Sequence, residues 1–186
     1  MQKLLSIILT INCFCQLIAS AQSPKLMKDR NATIEEARYL KSIYKTEDAI
    51  ELLSGLISPG QIDEEVQNEL ADCYIQAGDL DAAASTYSTL LMMKPESILY
   101  RIKLMLTTYR SKDYKSSSEL GLSIIKRDTI PAIVSLTADS FNMMAMPDSA
   151  LIYYNMYIGM NPANSSVVSK AAKIHLEREE YVKVLD

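Results

Sequence analysis

The stretch CYIQAGDLDAAASTYSTLLMMKP, Cys73 to Pro95, decides the fold. A Gly78-Asp79 pair separates two segments whose apolar residues recur at helical spacing, and Pro95 closes the second. Ala83, Tyr87, Leu90 and Leu91 stand at i, i+4, i+7 and i+8, one face of a helix. Val66, Leu70, Cys73 and Tyr74 form the same kind of stripe on the segment before the turn. Two antiparallel helices joined at Gly78 follow, with small residues at Ala71 and Ala83 for close approach and tyrosines filling the space beside them.

The hairpin recurs. From Ala83, steps of 34 reach Ala49 and Ser117, a step of 33 reaches Ala150, and a further 34 reaches Val184. Nine residues before these stand Leu40, Tyr74, Thr108, Phe141 and His175; twelve before stand Ala37, Ala71, Met105, Ala138 and Ala172. Four residues after come Leu53, Tyr87, Gly121 and Tyr154. Helices are expected near 33–44, 47–57, 64–77, 80–93, 98–110, 113–127, 132–144, 147–160 and 165–178. Thr33 to Glu36 reads as a capping box opening the first. Asp63 and Asn164 read as N-caps. Pro131 and Pro147 suit the first turn of their helices, where a missing N–H costs little.

With a period near 34 and this pattern of small, aromatic and turn residues, the chain resembles the tetratricopeptide repeat family. The best unit runs from Glu64 to Ser97 and carries Leu70, Ala71, Tyr74, Gly78-Asp79, Ala83, Tyr87 and Pro95; Gln67 stands where the family has tryptophan. The resemblance implies an all-α fold, an α-solenoid of stacked antiparallel helix pairs. Its units would be about 30–63, 64–97, 98–130, 131–164 and an incomplete 165–186. The chain stops a few residues into the fifth unit's second helix, which suggests an amino-terminal fragment of a longer protein.

Residues 1–21 read as a signal peptide: Lys3, an apolar run, and Ala19-Ser20-Ala21 before Gln22. A short linker, 22–29, would follow. Export to the periplasm or beyond the cell is the expectation. An uncleaved anchor, or a region downstream of Asp186, would be the only contact with membrane. Cys13 and Cys15 leave with the signal, so the mature chain holds Cys73 alone, expected as a small buried apolar residue.

Nineteen basic and 23 acidic residues give a net charge of −4. No basic stripe offers nucleic-acid phosphates a surface. His175 is the single histidine, in the slot of Tyr74 and Phe141, and reads as a packed residue. No phosphate loop, metal-ligand set or nucleophile–base pairing is visible, so no catalysis and no cofactor are expected. The methionines Met92, Met93, Met143, Met144 and Met146 read as gap-fillers of an imperfect repeat, with an adaptable binding face as the other reading.

The resemblance also implies a groove lined by first helices, where a peptide or protein partner binds. Carried over position by position, the lining is Asn68, Asp72 and Gln76; Ile102, Leu106, Tyr109 and Arg110; Ser135, Asp139 and Asn142; and Ser169 and Lys173. The lysine-asparagine-asparagine-lysine-arginine clamp by which some members hold a peptide's terminal carboxylate is missing. Two functions fit. One is a non-enzymatic protein–protein interaction scaffold of the bacterial cell envelope. The alternative is an amino-terminal sensor or accessory region of a larger envelope protein, such as a membrane-anchored signalling kinase.

Overall fold

A computed structural model describes residues 29–177. Among them are nine helices and no strand: α1 (residues 29–42), α2 (Thr46–Gly55), α3 (Glu64–Ala77), α4 (Leu80–Met93), α5 (Ile98–Arg110), α6 (Tyr114–Ile125), α7 (Pro131–Met143), α8 (Pro147–Met160) and α9 (Ser165–Glu177). The expected helices are all present. The signal peptide, nearly all of the linker and the end of the fifth unit lie outside the described residues. None of the described helices is long and apolar enough to cross a membrane.

Each turn within a pair is built alike. Tyr44, Gly78, Lys112 and Ala145 take positive φ, at 60°, 84°, 66° and 55°. Just beyond them the N–H groups of Lys45, Asp79, Asp113 and Met146 donate to Leu40, Tyr74, Thr108 and Phe141 at 2.9 to 3.0 Å. This is the left-handed helix ending that ties the outgoing chain to the helix it has just left. Capping follows at once: Asp79 and Asp113 accept from the N–H groups of Ala82 and Ser116. Asp63 and Asn164 cap α3 and α9 as expected, accepting from Val66 and Val167. Pro131 and Pro147 open α7 and α8.

Thr33 does not cap α1. The helix is already formed at Asp29, and the Thr33 hydroxyl donates to the Asp29 carbonyl, four residues back. Arg30 in that added turn makes the difference, because it forms a bidentate pair with Asp63 at 2.6 Å on both arms.

Contacts divide the chain into two units, Met1–Cys73 and Tyr74–Asp186. In the first, Ile34, Ala37, Ala49, Leu53, Val66, Leu70, Ala71 and Cys73 are buried. Burial raises the Cys73 thiol's pKa, in keeping with a packing residue. Across this core α1 is laced to α3 by charge. Arg30 reaches Asp63 and Glu65; Arg38 reaches Glu35, Glu65 and Glu69; Lys41 reaches Glu69 at 2.7 Å. Glu69 is buried. Burial works against its charge, yet Lys41 and Arg38 hold its carboxyl below the usual range, and Arg30 does the same for Asp63.

In the second unit adjacent helices pack in chain order, α4 on α5, α5 on α6, α6 on α7, α7 on α8 and α8 on α9, the arrangement of a tetratricopeptide-like solenoid. Ala138, Ala150, Leu151, Tyr154, Val167, Ala171 and Ile174 form one apolar cluster; Met105, Ile124 and Ile133 form another. The two solve one problem in opposite ways. Where α7 offers Ala138, α8 supplies Tyr154. Where α5 offers Met105, α6 supplies Gly121. A β-carbon at Gly121 would stand 2.1 Å from the Thr137 hydroxyl oxygen and 2.8 Å from the Met105 methyl. The weak-looking slots of this unit are therefore filled from the neighbouring helices. Ser117 adds a buried hydroxyl that donates to the Met105 carbonyl and accepts from Ser140.

The methionines are corrected by exposure. Met92, Met93, Met143 and Met146 lie at helix ends and in a turn, 41% to 80% exposed, and fill no gap; Met144 alone is half-buried.

Gly121→Ala should overpack the α6–α7 contact and cost about 1–3 kcal/mol in chemical denaturation. Thr137→Ala, which removes the nearest atom, should return part of that loss in the double variant. Acid gives a second test. Because Glu69 and Asp63 have lowered pKa values in the fold, their stabilisation is present above the ordinary carboxylate range and disappears as pH falls through the folded values. Melting temperature should drop over that acid window, and Glu69→Gln should flatten the slope.

Candidate interaction cleft

The carried-over groove residues do not all meet. Tyr109, Asp139, Asn142 and Lys173 come together in the second unit around a cleft of about 270 Å³. Tyr109 arrives from the last turn of α5, Asp139 and Asn142 from α7, and Lys173 from α9. Met143, Tyr154, Lys170, Ile174 and Glu177 complete the wall. Leu106 and Arg110 are exposed and Ser135 is half-buried, but none lines this cleft; the same holds for Gln76 and Ser169. Ile102 turns the other way and packs against the Met105, Ile124 and Ile133 cluster. Asn68 and Asp72 are half-buried on α3, in the first unit.

The cleft is organised about Asp139, whose side chain is 18% exposed. Its carboxylate accepts the Tyr154 hydroxyl at 2.6 Å and the Lys170 ammonium at 2.7 and 2.8 Å. Tyr154 is fully buried, so its ring serves the core while its hydroxyl reaches the cleft's carboxylate. Burial, then the bond to Asp139 and its charge, push the Tyr154 phenol far above the usual tyrosine range. Tyr109 shifts the same way, through burial, Asp139 and Tyr114. Both phenols stay protonated at neutral pH. Tyr109 is steadied by an edge-on contact with Tyr114, ring centres 5.4 Å apart.

Two side chains are left with unused hydrogen-bonding capacity. Neither the Tyr109 hydroxyl nor the Asn142 amide bonds to another described side chain. Lys173 is 77% exposed and, among the described residues, pairs with Glu177 at 3.7 Å. Beside these polar groups stand Met143, 54% exposed, and the buried Ile174. An apolar wall with a few convergent polar groups is the ordinary anatomy of a recognition site. Among the described residues no three His, Cys, Asp or Glu side chains gather as metal ligands. His175 is half-buried and lies outside the cleft.

Sequence reasoning missed Lys170 and Tyr154. Lys170 stands one helical turn before Ile174 on the side of α9 that faces α7, where its charge finds Asp139 31 positions back. Tyr154 was legible only as a filler of volume. The signal available was its hydroxyl, since a buried phenol needs a partner, and the structure supplies Asp139, 15 positions back.

Helices packed in chain order in the second unit define an all-helical repeat fold of the tetratricopeptide-like class. Residues 44–105 match the tetratricopeptide repeat family model. Solved structures share the fold. MamA MSR-1 superposes with a TM-score of 0.70 at 16% identity, covering 87% of this chain and 91% of that one. MamA AMB-1 gives 0.73 at 14%, covering 84% and 86%. MamA 41-end from Desulfovibrio magneticus RS-1 gives 0.71 at 11%, covering 88% and 90%. No curated protein sequence matches the chain.

Asp139→Ala should leave the Tyr154 hydroxyl buried without its acceptor and cost roughly 1–3 kcal/mol in urea denaturation. Adding Tyr154→Phe should restore part of the loss, because the stranded donor is then gone as well.

Proposed function

We propose that this chain is a non-enzymatic interaction scaffold of the bacterial cell envelope, and that the cleft of Tyr109, Asp139, Asn142 and Lys173 holds an extended segment of a protein partner. The observation that carries this reading is the meeting of four carried-over groove residues at one cleft, where Tyr109, Asn142 and Lys173 keep polar capacity to spare. An amide and a phenol both donate and accept, which suits them to a peptide backbone. Asp139, by contrast, is consumed within the protein and positions its neighbours.

Export rests on the sequence alone: Lys3, the apolar run and the Ala19-Ser20-Ala21 site. The mature chain begins at Gln22 in this reading.

Affinity capture from envelope extract tests both parts. Protein recovered from the periplasmic fraction should have the mass of a chain starting at Gln22. It should retain at least one partner that the double variant Tyr109→Ala, Asn142→Ala loses. Equal recovery by the two proteins would overturn the cleft as the binding surface.

A further inference from the structure

We infer that the cleft recognises an acidic side chain, aspartate or glutamate, carried within an extended segment next to an apolar residue. The inference rests on the cleft reading above and adds the chemistry of its ligand.

The donors and acceptors decide it. The Asp139 carboxylate is already met by the Tyr154 hydroxyl and by Lys170 on both oxygens, so most of its acceptor capacity is used. Lys170 has three N–H bonds, of which Asp139 takes two and one is left. Among the described residues Lys173 is paired with Glu177 at 3.7 Å, beyond hydrogen-bond length, which leaves its N–H donors to spare. The Asn142 amide adds two N–H donors and Tyr109 one hydroxyl. Tyr109 and Tyr154 are kept protonated by their raised pKa values, so neither adds negative charge. What remains, among the described residues, is a donor-rich rim with one weakly paired cation.

A carboxylate meets that rim with two acceptor oxygens and gains charge-assisted bonds, about twice as strong as neutral ones. A basic side chain would meet Lys170 and Lys173 and find, among the described residues, the largely occupied Asp139 and Glu177, 63% exposed, to pair with. The exposed Met143 beside the rim supplies the contact for an apolar neighbour of the acid. A carboxylate can also come from a chain's C-terminus. The in-chain source is favoured because the cleft is walled on four helices, with Met143 alongside to receive flanking residues.

Four fluorescent nonapeptide pools on an Ala, Leu and Ser background separate the cases, titrated into the whole chain. Three are blocked at both ends and carry a central Glu, Gln or Lys; the fourth carries central Gln and a free C-terminal carboxylate. Anisotropy reports affinity, and the Asn142 side-chain amide resonances report place. The Glu pool is expected to bind at least tenfold more tightly than the Gln pool, to shift Asn142, and to weaken as salt rises. Lys173→Glu should cost at least tenfold, whereas Lys115→Glu, an exposed charge on α6 outside the cleft, should change nothing. Equal binding of Glu and Gln pools with Asn142 still shifting would overturn the acidic ligand and leave the cleft standing. Preference for the free-terminus pool over the blocked Glu pool would overturn the in-chain source. Failure of every pool to shift Asn142 would overturn the cleft itself.

Discussion

The hydrogen bond that closes each first helix sets everything after it. Lys45, Asp79, Asp113 and Met146 each send their N–H back across the turn to a carbonyl five residues earlier, at 2.9 to 3.0 Å. That bond needs a residue of positive φ just before the donor, and in the second unit it reverses the chain tightly enough for α6 to lie against α5 and α8 against α7. The donors recur every 33 or 34 positions, so the turn is the true unit of the repeat. Only Gly78 holds that place with a glycine; Tyr44, Lys112 and Ala145 take a conformation that L side chains adopt at a cost of about 1–2 kcal/mol. Antiparallel packing on both sides of the turn offsets that strain.

Once turns are in register, the two helices of a pair need only fill a shared volume. They need not share it in the same proportions. Ala138 with Tyr154 and Met105 with Gly121 carry the bulk on opposite helices. Read one position at a time, Met105, Ser117 and Gly121 look like lapses from the pattern. Read as a pair, they are one exchange of volume made good by Thr137 and by the Ser117–Ser140 hydrogen bond. Such compensation keeps a repeat stable while its sequence drifts, because packing constrains the sum more tightly than the members.

What was legible follows from the range of the interaction. Helices, caps and first-turn prolines depend on neighbours within four residues, and the periodicity showed them: Asp63, Asn164, Pro131 and Pro147 stand where expected. The start of α1 was misread at Thr33 because the residue that extends it, Arg30, finds its partners 33 and 35 positions away. Ile102 packs against an apolar cluster and away from the cleft for a related reason. Its place on the helix suited a groove, but the Met105 side chain opposite Gly121 redraws the apolar cluster around it. Tyr109, Asp139, Asn142 and Lys173 line one cleft because register alone brings their helix faces together. Lys170 and the Tyr154 hydroxyl were not, because a salt bridge across 31 residues and a phenol at the edge of a core leave no local mark.

Tyr154 shows why core and cleft cannot be separated in this fold. Its ring occupies the slot that sets the distance between α7 and α8, and its hydroxyl holds Asp139, which in turn holds Lys170. A cleft residue displaced by even a small shift of α8 would therefore lose its geometry, while the surface charges Lys173 and Glu177 would hardly notice. The arrangement divides the labour. Buried, fully satisfied groups fix positions, and exposed groups at the rim are free to vary. In the proposed reading, recognition can then change by substitution at Asn142, Met143 or Lys173 without disturbing the turn or the shared volume.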